Sequence, residues 1–197
     1  MMIELKENKS SHNNIKQNKN IRIIRGITSK TIKKCPNKEL IRLMNKEQLF
    51  LDYIDIKALE LFDKEVINCL STKIIFQLTQ EQLEKLARAG KIQFLKTDFL
   101  NHIKVTILIK LPDYFFNQID IIQFKKAEEK IVFELLKNRK IHNLKISVMK
   151  YFYKTYFNSI KEIEDIKYLL SNSGKNFEYL TPDNFIYLIR NFIGKTN

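Results

Sequence analysis

Residues 55–86 read DIKALELF, DKEVINCL, STKIIFQL and TQEQLEKL, four consecutive units of eight residues that share one pattern. In every unit the first residue is polar, and the fifth and eighth residues are apolar. The fifth residues are Leu59, Ile67, Ile75 and Leu83, and the eighth residues are Phe62, Leu70, Leu78 and Leu86. We call such a unit an octad. A regular spacing of apolar residues is the main indication of secondary structure in a single sequence, so the octad decides the fold.

The octad pattern continues over most of the chain. After a shift of one residue it resumes at residues 96–135 as KTDFLNHI, KVTILIKL, PDYFFNQI, DIIQFKKA and EEKIVFEL, and all fifth and eighth residues are again apolar. Further octads, after additional shifts, are KISVMKYF and YKTYFNSI at residues 145–160 and SGKNFEYL and TPDNFIYL at residues 173–188. The same short structural unit is therefore expected to recur from residue 55 to residue 188.

A continuous helix cannot bury this pattern. Eight residues at 100° each overshoot two helical turns by about 80°, so the apolar face would move around the helix. The polar first residues offer a break, because Asp63, Ser71 and Thr79 are good N-caps and Gln82 would complete a capping box with Thr79. Thr181-Pro182 places proline at the first helical position. We predict that each octad forms a cap, about one helical turn with positions four, five and eight inward, and a tight reversal.

The segment LTQEQLEKL at residues 78–86 resembles the degenerate octapeptide repeats of the Leu-Thr-x-Glu-Gln-Leu-x-x-Leu type in large bacterial proteins. The resemblance implies a compact coil of one-turn helices that serves as an interaction scaffold, since such arrays present surface rather than chemistry. The chain departs from the family pattern at Gly90, at the Lys-rich stretch 137–145, and in its bulky Phe and Tyr residues. We therefore predict an all-α fold, an irregular array or solenoid of short helices built on eight-residue repeats.

One segment favours an alternative α+β fold. In IKVTILIKL, residues 103–111, Ile103, Val105, Ile107, Ile109 and Leu111 alternate with other residues at a strict period of two. This alternation and the β-branched side chains are typical of a strand. The strand would need a partner, and Ile21 to Ile27 is the candidate.

Composition separates an N-terminal arm from a folded domain. Residues 1–38 contain ten Lys and Arg against Glu4 and Glu7, a net charge of +8, which leaves +5 of the total +13 for residues 39–197. Residues 6–20 contain a single apolar residue, Ile15, too few to offset the entropy of ordering. We predict a basic, mostly disordered arm at residues 1–35 and a helical repeat-like domain at residues 36–197.

The arm is a candidate binder of RNA or another polyanion, because Lys and Arg neutralise phosphates. The alternative is a solvated tail whose lysine content reflects codon bias. The candidate residues are Lys16, Lys19, Arg22, Arg25, Lys30, Lys33 and Lys34.

The sequence offers no set of catalytic, metal-binding or cofactor-binding residues. Cys35 and Cys69 cannot form a disulfide framework, and no Cys and His residues have the spacing of a zinc site. The four glycines are dispersed, so no phosphate-binding loop is present. The N-terminus lacks the apolar core of a secretory signal, and no segment has the length of a membrane span. We expect a non-enzymatic protein without cofactors in the cytoplasm or another reducing compartment, with an organelle interior left open.

Two surfaces are candidates for binding. The first consists of outward octad positions that would face a protein partner, namely Glu60, Asn68, Lys85, Lys110 and Lys126. The second is a basic and aromatic cluster at residues 137–156 that would bind RNA, since cations contact phosphates and flat rings stack on bases. Its members are Lys137, Arg139, Lys140, Lys145, Lys150, Tyr151 and Tyr153. The expected function is a protein-interaction scaffold; the alternative is an RNA-binding subunit of a ribonucleoprotein such as the ribosome.

Overall fold

The computed structural model describes residues 37–46, 59–171 and 174–193, and the predicted arm at residues 1–35 lies outside them. All regular structure in these ranges is helical, as the sequence predicts. The α-helices are α1 (Asn37–Lys46), α2 (Lys64–Asn68), α3 (Thr72–Gln77), α4 (Gln80–Arg88), α5 (Val105–Leu108), α6 (Asp113–Phe116), α7 (Ile121–Lys125), α8 (Glu129–Lys137), α9 (Ile146–Tyr156), α10 (Ile163–Ser171) and α11 (Pro182–Leu188). The 3₁₀ helices are Ile92–Phe94, Phe99–His102, Ile141–Asn143, Phe157–Ser159 and Gly174–Tyr179, and Ile189–Ile193 is a π-helix.

The alternative of a strand at residues 103–111 is wrong. The carbonyl oxygen of Lys104 accepts hydrogen bonds from the backbone N–H groups of Ile107 and Leu108, each at 2.9 Å, and α5 follows. In this helical conformation Leu108 and Leu111 are both 0% exposed. Burial of the fifth and eighth octad residues therefore outweighs the β-propensity of the branched side chains.

The burial pattern that the octads predict is present. Every fifth and eighth residue of the octads between Leu59 and Ile160 is buried, with at most 7% exposure, at Ala127. Only at the last octads does the pattern change, where the fifth residues Phe177 and Phe185 are 47% and 46% exposed. The fifth and eighth residues of the octads thus belong to one continuous hydrophobic core over most of the described chain.

Three octads begin with a complete capping box, in which the first residue and the fourth residue exchange side-chain and backbone hydrogen bonds. The predicted box of Thr79 and Gln82 is confirmed, and Asp120–Gln123 and Thr181–Asn184 form two more. Asp63 is the N-cap of α2 but makes no side-chain cap bond, whereas the Ser71 hydroxyl accepts a bond from Ile74 N. The buried polar residues Gln82, Gln123 and Asn184 are all fourth octad residues. Their burial is tolerated because the cap satisfies their polar groups.

Register shifts between octads coincide with two nine-residue units, ARAGKIQFL at residues 87–95 and LKNRKIHNL at residues 136–144. Each unit closes a helix with a Schellman motif, because Lys91 N donates to Leu86 O and Lys140 N donates to Leu135 O. The residues before these lysines have positive φ, +70° at Gly90 and 61° at Arg139. The ninth residue of each unit shifts the register of the following octads by one position.

Many side-chain hydrogen bonds between distant residues join positions about 25 to 31 apart in sequence. Side-chain hydrogen bonds join residues 26 positions apart from Asn37 to Asp63 and 25 positions apart from Asn101 to the carbonyl oxygen of Lys126. Their distances are 2.7 and 2.8 Å, and other such bonds span up to 31 positions. Each stretch of this length therefore packs on the one before it. We call these stretches layers, and they are residues 37–46 with 59–62, then 63–90, 91–117, 118–144, 145–171 and 174–193.

Arg139 offers a direct test of the nine-residue unit. An L-residue in the left-handed region costs about 1–2 kcal/mol, which glycine avoids. Arg139→Gly and Arg139→Ala both remove the 2.9 Å bond to Asp165 and the contact with the Tyr168 ring, but only the glycine variant relieves the backbone. We expect Arg139→Gly to be about 1 kcal/mol more stable than Arg139→Ala in chemical denaturation.

The matching substitution in the other unit is Gly90→Ala. A Cβ at this position would meet nothing within 4 Å, so only the positive φ opposes it. We expect a loss of about 1 kcal/mol in the same measurement. Equal stability of the two Arg139 variants would show that the backbone at this position carries no strain.

Candidate protein-interaction surface

The basic and aromatic cluster at residues 137–156 joins adjacent layers. The ammonium group of Lys140 donates to the carbonyl oxygen of Leu111 at 3.0 Å, and that of Lys145 donates to the carbonyl oxygen of Gln118 at 3.3 Å. Lys91, at the equivalent place in the other nine-residue unit, donates to the carbonyl oxygen of Phe62. Lys140 and Lys145 therefore satisfy backbone carbonyls of the preceding layer, and Lys91 satisfies the last carbonyl of the first layer.

Cations also cover aromatic rings of adjacent layers. The guanidinium carbon of Arg139 lies 4.5 Å from the centroid of the Tyr168 ring, and its Nη1 is 2.9 Å from Asp165 Oδ1. Similar contacts place Lys104 over Phe76, Lys125 over Tyr151, Lys140 over Phe116 and Lys150 over Tyr179, at 5.0 to 6.0 Å. A cation over a ring is worth about 0.5–1 kcal/mol at an exposed site. Much of the cluster thus has a structural role.

The two tyrosines of the cluster occupy different environments. Tyr153 is 0% exposed and its hydroxyl donates to the carbonyl oxygen of Leu169 at 3.1 Å, so its ring does not reach a surface where a base could stack. Tyr151 is half-buried, and its ring is nearly perpendicular to that of Phe124. Lys137 and Lys150 are exposed. Within the predicted RNA-binding cluster, Lys137 and Lys150 thus lie at the surface, whereas Tyr153 lies in the core.

The predicted protein-binding residues are all at least partly exposed but do not form one cluster. Glu60 and Lys85 are half-buried and face each other, with 3.7 Å between Oε1 and Nζ. Asn68, Lys110 and Lys126 are exposed and lie in successive layers. Asn68 borders a groove.

This groove crosses three layers. It has a volume of about 380 Å³, and we call it the Phe94–Ile122 groove after its two exposed apolar side chains. Phe94 is 36% exposed and Ile122 is 58% exposed. The lining residues are Lys64, Glu65, Asn68, Gln93, Phe94, Leu95, Thr97, Asp120, Ile122 and Gln123. Apolar side chains beside polar groups are typical of surfaces that bind other proteins.

Gln123 forms the fixed floor of the groove. Its Oε1 accepts from Asp120 N at 3.1 Å, and its Nε2 donates to the carbonyl oxygens of Ile92 and Leu95 at 3.1 and 3.0 Å. With only 1% exposure and these bonds, Gln123 holds the layer of α7 against the 3₁₀ helix Ile92–Phe94. The groove therefore has a rigid base, and Asn68, Gln93 and Thr97 supply polar groups at its walls.

Sequence reasoning did not identify Phe94 and Ile122. Phe94 lies in a nine-residue unit, outside the octads, and Ile122 is the third residue of its octad, a position that the pattern leaves undefined. For Ile122, the sequence signal is a large apolar residue at an octad position other than four, five or eight, where the pattern does not require one. Phe76, at position six and 54% exposed, fits the same description.

The ionisable groups with shifted pKa values include a histidine and two tyrosines that lie against the core. Burial lowers the pKa of His142, whose Nε2 lies 3.2 Å from the carbonyl oxygen of Tyr168. Burial also raises the pKa of Tyr168 to about 12 and, most strongly, raises the pKa of Tyr153. Within the part of the chain that the structure describes, no three His, Cys, Asp or Glu residues are grouped to hold a metal ion. None of the helices in that part is long and apolar enough to cross a lipid bilayer.

A comparison with protein-family models, with curated proteins and with solved structures finds no match for this chain.

Proposed function

We propose that this protein is a non-enzymatic interaction module, a short solenoid of eight-residue repeats that binds a protein partner. The observation that carries the proposal is the Phe94–Ile122 groove, which spans three layers on a rigid floor. Burial of the exposed apolar area of these two side chains would stabilise a complex by about 25 cal/mol per Å². The neighbouring polar groups would orient the partner through hydrogen bonds. A partner would insert an apolar side chain between Phe94 and Ile122 and bond to Asn68, Gln93 or Thr97.

The stacked layers suit this role for a physical reason. The layers between Leu59 and Ile160 bury their fifth and eighth octad residues and most of their fourth residues, and the remaining positions can vary without loss of the core. Bonds from Gln123, Asn101 and the bridging lysines fix neighbouring layers relative to each other. A surface composed of several layers is therefore preorganised, which lowers the entropic cost of binding.

The test compares two double variants of the full chain that carry the same chemical changes. Phe94→Asn with Ile122→Asn removes the apolar side chains of the groove. Phe76→Asn with Ile146→Asn removes one Phe and one Ile elsewhere, with 54% and 62% exposure. Affinity purification with quantitative mass spectrometry should show a partner that the groove variant loses by at least about tenfold, the equivalent of 1.4 kcal/mol, and that the control retains.

Nuclease treatment tests whether the association with the protein partner depends on RNA. Association with the partner should survive digestion of RNA, because the groove offers two exposed apolar side chains and its lining contains one cation, Lys64. Loss of all associated proteins after digestion, or equal loss in both double variants, would contradict the proposed function.

A further inference from the structure

A long stretch of the chain has no negative charge. Residues 135–161 contain seven Lys and Arg and neither Asp nor Glu. Lys150 and Lys154 lie four positions apart on α9 and are exposed. Residues at this spacing are neighbours on one face of a helix, with about 5–6 Å between Cβ atoms. Two positive charges therefore lie side by side at the surface.

The preceding layer brings a further cation, Lys125, next to this part of α9. Lys125 Nζ lies 5.2 Å from the centroid of the Tyr151 ring, and Tyr151 directly follows Lys150 on α9. Lys126 adjoins Lys125, and both are exposed. We call Lys125, Lys126, Lys150, Lys154 and Tyr151 the lysine patch.

In residues 59–171, which contain the patch, none of its four lysines forms an ion pair with a carboxylate. The nearest acidic residue in sequence, Glu128, is bound to Lys130 at 2.7 Å. By contrast, Arg139 and Lys140 of the same acid-free stretch contact Asp165 and Asp113. The four lysines of the patch therefore keep their positive charge without a carboxylate partner within residues 59–171.

We propose that the lysine patch binds the phosphate backbone of single-stranded RNA. Adjacent cations that lack counter-charges bind phosphates with release of counterions, and the half-buried Tyr151 ring beside them suits a nucleotide. A membrane surface fits less well: Ile146 is exposed at the start of α9, but Val148, Met149 and Phe152 are buried in the core, so α9 has no free apolar face. This proposal does not depend on the Phe94–Ile122 groove.

The experiment measures binding of the full chain to a fluorescent 20-nucleotide oligouridine at several salt concentrations. The patch variant is Lys126→Gln, Lys150→Gln, Lys154→Gln, which leaves Lys125 on Tyr151. The control is Lys73→Gln, Lys130→Gln, Lys167→Gln, three exposed lysines outside the patch and the groove, of which Lys130 and Lys167 pair with Glu128 and Glu164. Both variants lose the same net charge, so they differ only in where the charge is lost.

We expect the patch variant to bind more weakly, by about tenfold to a hundredfold at 0.1 M salt. Its plot of log K against log salt concentration should be shallower by about 2, because each phosphate contact with a single strand contributes about 0.7. The control should keep the slope of the unchanged protein. Identical slopes for both variants, or no binding by the unchanged chain, would overturn the proposal. Patch-dependent binding to phosphatidylserine vesicles with an unchanged RNA slope would overturn it in favour of a membrane surface.

Discussion

Phe124→Ala is expected to lower the free energy of unfolding by about 3–5 kcal/mol, a large fraction of the stability of a domain of this size. Phe124 is the fifth residue of its octad and is 0% exposed. Its ring makes T-shaped contacts with the rings of Tyr151 and Tyr156, with 6.3 and 6.4 Å between centroids. Truncation removes these contacts and leaves a cavity that the neighbouring layers cannot close. Equilibrium unfolding in urea measures the change.

Phe76→Ala is the matched control, because it makes the same chemical change at the sixth position of an octad. Phe76 is 54% exposed, and its main described contact is Lys104 Nζ at 5.0 Å from the ring centroid. We expect a loss of only about 0.5–1 kcal/mol. Similar losses for Phe76→Ala and Phe124→Ala would mean that octad position does not determine the core.

Burial could be predicted from the sequence because it follows a local rule. A residue such as Leu83 is inward because of its distance from the cap at Thr79, and both lie within one octad. The same rule explains the failure of the strand alternative. At residues 103–111 the β-branched alternation and the octad give conflicting patterns, and the octad prevails because Leu108 and Leu111 complete the core.

The stacking of layers could not be predicted in the same way. Asn101 donates to the carbonyl oxygen of Lys126 and accepts from Glu128 N, each at 2.8 Å, although nothing in a single asparagine identifies a partner one layer away. The nine-residue units were visible only as departures from the octad. Gly90 indicates a helix end, but Arg139 occupies the same left-handed conformation without a glycine to reveal it.

The sequence defines the candidate sites less closely than the fold, because they also depend on how the layers stack. A lysine beside a tyrosine in sequence can contact RNA or bridge layers, and composition does not separate these roles. Lys140 and Lys145 bridge layers, whereas Lys150 remains at the surface. The distinction depends on which carbonyl oxygens the preceding layer leaves unpaired, and that requires the three-dimensional arrangement.

Gln123→Met is expected to lower the free energy of unfolding by about 2–4 kcal/mol, although methionine matches glutamine in size and is less polar. The substitution removes the side-chain acceptor for Asp120 N, worth about 1 kcal/mol as a cap. It also removes the donor to the carbonyl oxygens of Ile92 and Leu95, and buried polar groups without partners cost about 1–3 kcal/mol. Urea denaturation monitored by circular dichroism gives the change.

Gln82→Met separates the contribution of the cap from that of the layer contact. Gln82 is also buried, with 8% exposure, and its Oε1 accepts from Thr79 N at 2.9 Å in the same type of capping box. Its described hydrogen bonds stay within its own octad, so its replacement should cost only about 1 kcal/mol. The difference between the two variants measures the bond between layers at the floor of the Phe94–Ile122 groove. If both variants lose the same stability, Gln123 acts as a cap alone, and the rigidity of the groove must come from the apolar contacts around it.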